Sequence, residues 1–192
     1  MKWIDEMRYG GPTGEGPAGW KVDVVVPTEL QRMQEAFIGR SSSEGPFHVL
    51  RHNGQLWMSD TDAEARDHAG AVYRIRQDAT DTVLIHGLGL GLVVSAALRY
   101  GRTVDVVELD ADLVGWMTPW LTDLAAENQA DLSIHVDDVM TRQWPVGSYW
   151  DVVWHDIWSD INDDNLDGMK RLHRSFGKRS GWQGSWARNY LT

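Results

Sequence analysis

Four short apolar, β-branched runs recur along the second half of the chain: Thr82 to His86, Thr103 to Glu108, Leu132 to Val136 and Trp150 to Trp154. Between them lie Leu90 to Tyr100 and Asp112 to Glu127, with apolar residues at helical spacing. Such alternation predicts βαβ units and a parallel sheet. Right-handed crossovers then put these strands in the spatial order 3-2-1-4.

The first half reads differently. Residues 10 to 19, GGPTGEGPAG, are too rich in glycine and proline for a helix or strand and predict a mobile loop or arm. Trp20 to Val26 reads as a strand ended by Pro27, with Thr28 capping a helix over Glu29 to Ile38. Phe47 to Leu50 and Gln55 to Met58 flank Asn53-Gly54, a strong hairpin-turn signal. Ser59 or Asp60 is placed to cap a helix over Ala63 to Arg76. The expected division is an N-terminal arm, strand and helix over residues 1–46, then a Rossmann-like α/β domain with a leading hairpin over residues 47–192.

Composition narrows the function classes. At 192 residues the chain has room for one α/β domain but not for two full enzyme domains. Its 28 acidic against 18 basic side chains, a formal charge of −10, argue against a nucleic-acid partner. The absence of cysteine removes disulfides, thiolate metal sites and thiol nucleophiles together. No His/carboxylate metal motif stands out, so no metal is expected, and His48 and His52 read as ordinary polar positions on the hairpin. No apolar run is long enough to span a bilayer, and the N-terminus lacks the order of a signal peptide; a cytoplasmic location is expected. Eleven tryptophans are unusual, and packing is their simplest use.

The strongest chemical signal is TVLIHGLGLGLVVSAAL, an apolar strand running into Gly87, Gly89 and Gly91 and then into a helix. Glycines there permit a tight turn and a close ligand, and the helix start offers free N–H groups. A loop kept for helix–sheet packing is the plainer alternative. The dinucleotide fingerprint would need a third glycine where Leu92 stands, which disfavours a nicotinamide cofactor. Glu108 ends the second strand where Rossmann folds place an acid for ribose hydroxyls; a solvated strand-end acid is the alternative. Asp137-Asp138 ends the third strand, and Asp138 is placed to accept from an adenine amine or to cap the next turn. Asp156 follows the fourth strand, where it could hold an acceptor amine or hydroxyl and take its proton, or simply cap a turn. By strand alternation His155 points away from it, as scaffold. Trp154 and Trp158 bracket Asp156 in sequence, and the tail GWQGSWARNYL adds Trp182 and Trp186. Core packing covers most of them, and Trp158 is the candidate pocket wall.

Taken in order, IHGLGLG, VVELD and VDDV resemble motifs of class I S-adenosylmethionine-dependent methyltransferases. The spermidine synthase branch is similar in its β-hairpin before the glycine strand, comparable with VLRHNGQLWMSD, and in its strand-four aspartate, comparable with WDVVWHDIW. A general likeness to small methyltransferase-like proteins of tailed phages covers Phe47 onward and suggests a phage-infected bacterium as the setting. The resemblance implies an α/β Rossmann-like sheet binding S-adenosylmethionine, or its decarboxylated form, through Gly87, Gly89, Gly91, Glu108 and Asp138. It implies a small-molecule acceptor at Asp156 and Trp158. Departures are visible: His86 stands where many methyltransferases have an acid, the synthases' glycine loop is not reproduced, and their D-x-x-D spacing becomes Asp156-x-x-x-Asp160. The last strands of a full methyltransferase sheet are expected to be missing, leaving Trp150 to Trp154 as an apolar outer strand. Either the chain's own early elements, such as Trp20 to Val26 or the Asn53-Gly54 hairpin, or a second subunit must cover it, and a homodimer or larger homo-oligomer is the favoured expectation. The rival reading is a non-catalytic structural or regulatory Rossmann protein.

Overall fold

The computed structural model describes residues 3–29, 33, 45–160 and 162–191. All of the helix expected over Glu29 to Ile38, except Glu29 and Met33, lies outside the described residues. Two sheets organise the rest. Gly14–Glu15 (β1), Trp20–Val25 (β2), Phe47–His52 (β3) and Gln55–Ser59 (β4) form an antiparallel sheet in the order β1-β2-β3-β4. Its hairpin turns at Asn53 and Gly54 with φ of 51° and 82°, the left-handed pair that a two-residue turn of this hand demands. Pairing of β2 with β3, from Trp20 opposite His52 to Val25 opposite Phe47, straddles the boundary drawn at residue 46.

The glycine-rich stretch before β2 is not a free arm. A Cβ on Gly16 would fall 2.6 Å from the Trp116 ring, so the missing side chain lets this backbone lie flat on an aromatic face.

The hairpin leads into two short helices, Asp62–Asp67 (α1) and Ala69–Ile75 (α2), broken at His68. Thr61 caps α1, accepting from Glu64 N–H at 3.4 Å, one residue later than expected. Asp60 is otherwise engaged. Its buried carboxylate accepts from Tyr9 N–H and His48 N–H and contacts His48 Nδ1 at 3.0 Å, tying the N-terminus to the hairpin.

The second sheet is parallel: Thr82–His86 (β5), Leu92–Arg99 (α3), Thr103–Glu108 (β6), Ala111–Glu127 (α4), Asp131–Val136 (β7), Trp150–His155 (β8), Asn165–Phe176 (α5) and Ser180–Ser185 (β9). The strand order is β7-β6-β5-β8-β9. This contains the expected 3-2-1-4 arrangement and corrects it by a fifth strand. β9 pairs in parallel with β8 from Ser180 to Ser185. The outer edge of β8 is therefore covered by the chain itself, and the oligomer expectation loses the exposed edge on which it was based.

Burial follows the strand period. Val83 and Ile85 of β5 join the main core beneath α3 and α4, while Leu84 joins Val153, Leu172 and Phe176 under α5 on the opposite face. Each fully buried aliphatic side chain of this kind contributes roughly 1.5–3 kcal/mol. Trp20, Val22 and Leu50 of the antiparallel sheet belong to the main core, so the two sheets share it. Among the described residues no helix is long and apolar enough to cross a membrane.

Candidate functional site

The chain leaves β5 toward β6 and β7 on one side, then returns to lay β8 and β9 on the other. That reversal between β5 and β8 opens a crevice at the carboxyl ends of the strands, where open α/β sheets hold ligands. Gly87 and Asp156 sit at its base. Asp156 N–H donates to the His86 carbonyl at 2.8 Å, and Gly87 N–H to the Val107 carbonyl at 2.8 Å. Gly87 has φ +90°, and a Cβ there would lie 1.9 Å from the Asp156 carbonyl oxygen. Gly89, at φ +50°, is similarly closed to a side chain by Met58 Sδ, 2.2 Å from where its Cβ would be.

Above this base is a cavity of about 770 Å³, within the usual size of small-ligand pockets. Gly87, Gly89, Glu108, Asp138, Asp156 and Trp158 all line it. Gly91 does not. It starts α3 in the left-handed region and faces Trp120, whose ring would be 3.3 Å from its Cβ.

Glu108 is held in place by backbone donors. Its Oε2 accepts from Leu88 N–H at 2.8 Å and its Oε1 from Asp110 N–H at 2.9 Å. A carboxylate has about four acceptor positions, so roughly two stay free toward the cavity. Asp138 adopts the turn-capping geometry, accepting from Met140 N–H at 2.8 Å. Its neighbour Asp137 pairs with Arg142 at 2.8 Å. Both acids border the cavity nonetheless.

Asp156 is half-buried. Burial, and then the carboxylates of Glu64, Glu108 and Asp67, push its carboxyl well above the usual carboxylate range. Its ring neighbour in sequence, His155, lies on the other side of the sheet, as strand alternation requires. Gln183 donates its amide N–H to the His173 carbonyl at 3.0 Å, so its oxygen faces His155 Nε2 at 3.2 Å. Neutral His155 therefore carries its proton on Nε2, and its Nδ1 accepts from His86 Nδ1 at 2.8 Å. His86 is fully buried against Phe176. The position preceding the glycines thus packs under α5 and does not line the cavity.

Sequence reasoning missed much of the cavity wall. Trp20, His52, Trp57 and Met58 come from the antiparallel sheet, and Trp186 from the tail. Trp20 stacks on His52 with ring centroids 4.3 Å apart and meets Trp57 edge-on at 5.6 Å. Trp154, in contrast, is a core residue stacked on Trp182 at 6.2 Å. Glu64 also lines the cavity, from the helix before the glycine strand. The signal that could have found it is its i,i+4 spacing with His68, on a helix immediately after the hairpin. Among the described lining residues there are seven carboxylates and no lysine or arginine.

Fold and cavity together define a Rossmann-like α/β domain with a glycine-floored, acid-rimmed pocket at its topological switch point. No family model matches the chain, and no curated protein matches it. Solved structures that it resembles are methyltransferases. One is a SAM-dependent methyltransferase from Agrobacterium tumefaciens, at 19% identity and a TM-score of 0.43, covering 57% of this chain and 36% of that one. Another is a putative methylase from Haemophilus influenzae, at 15% identity and 0.46, covering 60% and 64%. A third is an RNA methyltransferase from Salinibacter ruber in complex with S-adenosyl-L-homocysteine, at 17% identity and 0.42, covering 60% and 65%. The chain thus spans about a third to two thirds of these proteins. At these identities the likeness is one of fold, and what the pocket does is read from its own residues.

Proposed function

We propose that the chain is an S-adenosylmethionine-dependent methyltransferase acting on a small acceptor. The observation that supports this best is the convergence of Gly87 and Gly89 after β5, Glu108 of β6, Asp138 after β7 and Asp156 after β8 on one cavity, from four adjacent strand ends. The residues fit the cofactor: the glycine floor admits a ligand against the backbone, and Glu108 keeps acceptor capacity for a ribose diol. When bound, S-adenosylmethionine supplies a methyl group activated by a sulfonium.

In this reading Asp138 borders the adenine, Trp158 walls the acceptor, and Asp156 orients the acceptor's amine or hydroxyl and takes its proton. The acidic, aromatic lining suits a cationic or amine-bearing acceptor and repels phosphate. Aminopropyl transfer is a second reading favoured by one feature. With no lysine or arginine in the lining, a cofactor lacking the methionyl carboxylate needs no cationic partner.

S-Adenosylhomocysteine is expected to raise the melting temperature while NAD leaves it unchanged, because a ligand selective for the native state stabilises it by occupancy. Glu108→Ala should weaken that binding about 10- to 100-fold, the worth of hydrogen bonds to a charged group. Calorimetry with S-adenosylmethionine and its decarboxylated form separates the two transfer readings. Equal affinity in wild type and variant would remove Glu108 from the site.

Asp156→Asn should keep cofactor affinity within a few-fold and lower transfer about 100-fold or more on any acceptor found by screening for release of S-adenosylhomocysteine. Unchanged turnover would return Asp156 to a turn-capping role.

A further inference from the structure

His68, at the break between α1 and α2, is fully buried and edge-on to Trp154, with ring centroids 5.9 Å apart. Neither ring nitrogen has a hydrogen-bond partner among the described residues. Its Nε2 stands 3.8 Å from Glu64 Oε1 and 3.9 Å from Asp156 Oδ2. A buried imidazole without hydrogen bonds is costly, and here it separates two carboxylates that both border the cavity. A small void of about 10 Å³ touches His68, Asp156 and Gly87, close to the room one water needs.

We propose that Glu64, His68 and Asp156 form a proton store beneath the cavity, in which a cation seated against Asp156 drives the Asp156 proton onto His68. The proposal rests on the cofactor reading above. The Asp156 O–H bond breaks and an N–H bond forms at His68 Nε2, so the charge of the group as a whole is unchanged. The carboxylate left behind faces the cation, and Glu64 faces the new imidazolium. At rest His68 is neutral near pH 7. Burial holds His68 at about 4. Burial, then the carboxylates of Glu64 on α1, Glu108 on β6 and Asp67 on α1, push the Asp156 carboxyl well above the usual carboxylate range, toward its protonated form. Ionised Asp156 is the form that can receive an acceptor's proton. His68 is thus a positioning residue that keeps the base in its active state.

Histidine ¹⁵N NMR of the wild type at pH 7, with and without S-adenosylmethionine, tests this without any acceptor. His68 is expected to read as neutral in the free protein and as imidazolium when the cofactor is bound, with occupancy checked by calorimetry. In Asp156→Asn, which has no carboxyl proton to give, His68 should stay neutral at full occupancy. A neutral His68 in the occupied wild type overturns the proton store and leaves the cofactor reading standing, as does a charged His68 in occupied Asp156→Asn. A wild type that takes up no S-adenosylmethionine overturns both. Should the variant fail to fold, the wild-type spectra alone decide.

Discussion

Replacing Gly87 with alanine is expected to cost about 3 kcal/mol or more of stability, the range reserved for substitutions that break a specific structural device. Two effects combine at this position. A φ of +90° is strained for any residue with a Cβ, and the new methyl would lie 1.9 Å from the Asp156 carbonyl oxygen, a backbone atom that cannot swing aside. Relief requires β5 and β8 to separate at their carboxyl ends, where His86 and His155 are paired in register. In a domain of this size the loss corresponds to a fall in melting temperature of roughly 10 °C. Gly89→Ala is the comparison. Its Cβ would meet the thioether of Met58, a flexible side chain, and its φ of +50° lies in the left-handed region, so about 1 kcal/mol is expected. Urea denaturation of both variants checks this, and a Gly87→Ala protein within ~0.5 kcal/mol of wild type would mean the base of the crevice is not closed as described.

Mild acid should unfold the protein through its buried histidines. Burial holds His68 and His173 at about 4 and His155 at about 3, and burial with His155 and Arg142 nearby keeps His86 well below the ordinary value. In the unfolded chain all four titrate near 6.5. Below that pH the unfolded state binds more protons than the native state. The stability is therefore fully present above about pH 6.5 and is lost as pH falls toward 4. A fully shifted histidine contributes a slope of about 1.4 kcal/mol per pH unit. His173, which is less buried, counts for less, and His86 and His155 titrate as a pair. Asp156 works the other way, since its raised carboxyl favours the native state as pH falls, but it is one group against four. Urea midpoints between pH 7.5 and 5 should fall steadily below pH 6.5. A flat profile over that range would contradict neutral buried imidazoles.

The parallel strands were legible because β-branched runs alternate with helical spacing, and the hairpin because Asn53-Gly54 admits few other conformations. β9 was not. Ser-Gly-Trp-Gln-Gly-Ser has poor strand propensity, and it is held in the sheet by its pairing with β8. Tertiary demand also moved the α1 cap from Asp60 to Thr61, since Tyr9 and His48 claim the Asp60 carboxylate. Glu108 and Asp156 could be placed because strand ends announce where a sheet collects ligands. Glu64 and His68 were harder to place, because their i,i+4 spacing marks a shared helix face but does not report which strand end that face will pack beneath. The glycines before β2 read as freedom; in the fold Gly16 is clearance for Trp116 and Gly11 for Trp120 and Tyr9.

The cavity has two makers. Its floor comes from the parallel sheet, where Gly87, Glu108 and Asp156 are fixed by backbone bonds and close packing, while Trp20, His52, Trp57 and Met58 hang over it from the antiparallel sheet. Changes at the exposed hairpin side chains Leu56 and Trp57 therefore reshape the space above the floor, whereas a change at Met58 also reaches the glycine loop through Gly89 and Leu90. In the proposed methyltransferase reading, drift in acceptor choice has somewhere to happen at Leu56 and Trp57 that leaves the proposed cofactor floor in place, and those two positions are the natural handle for redirecting the pocket to new molecules.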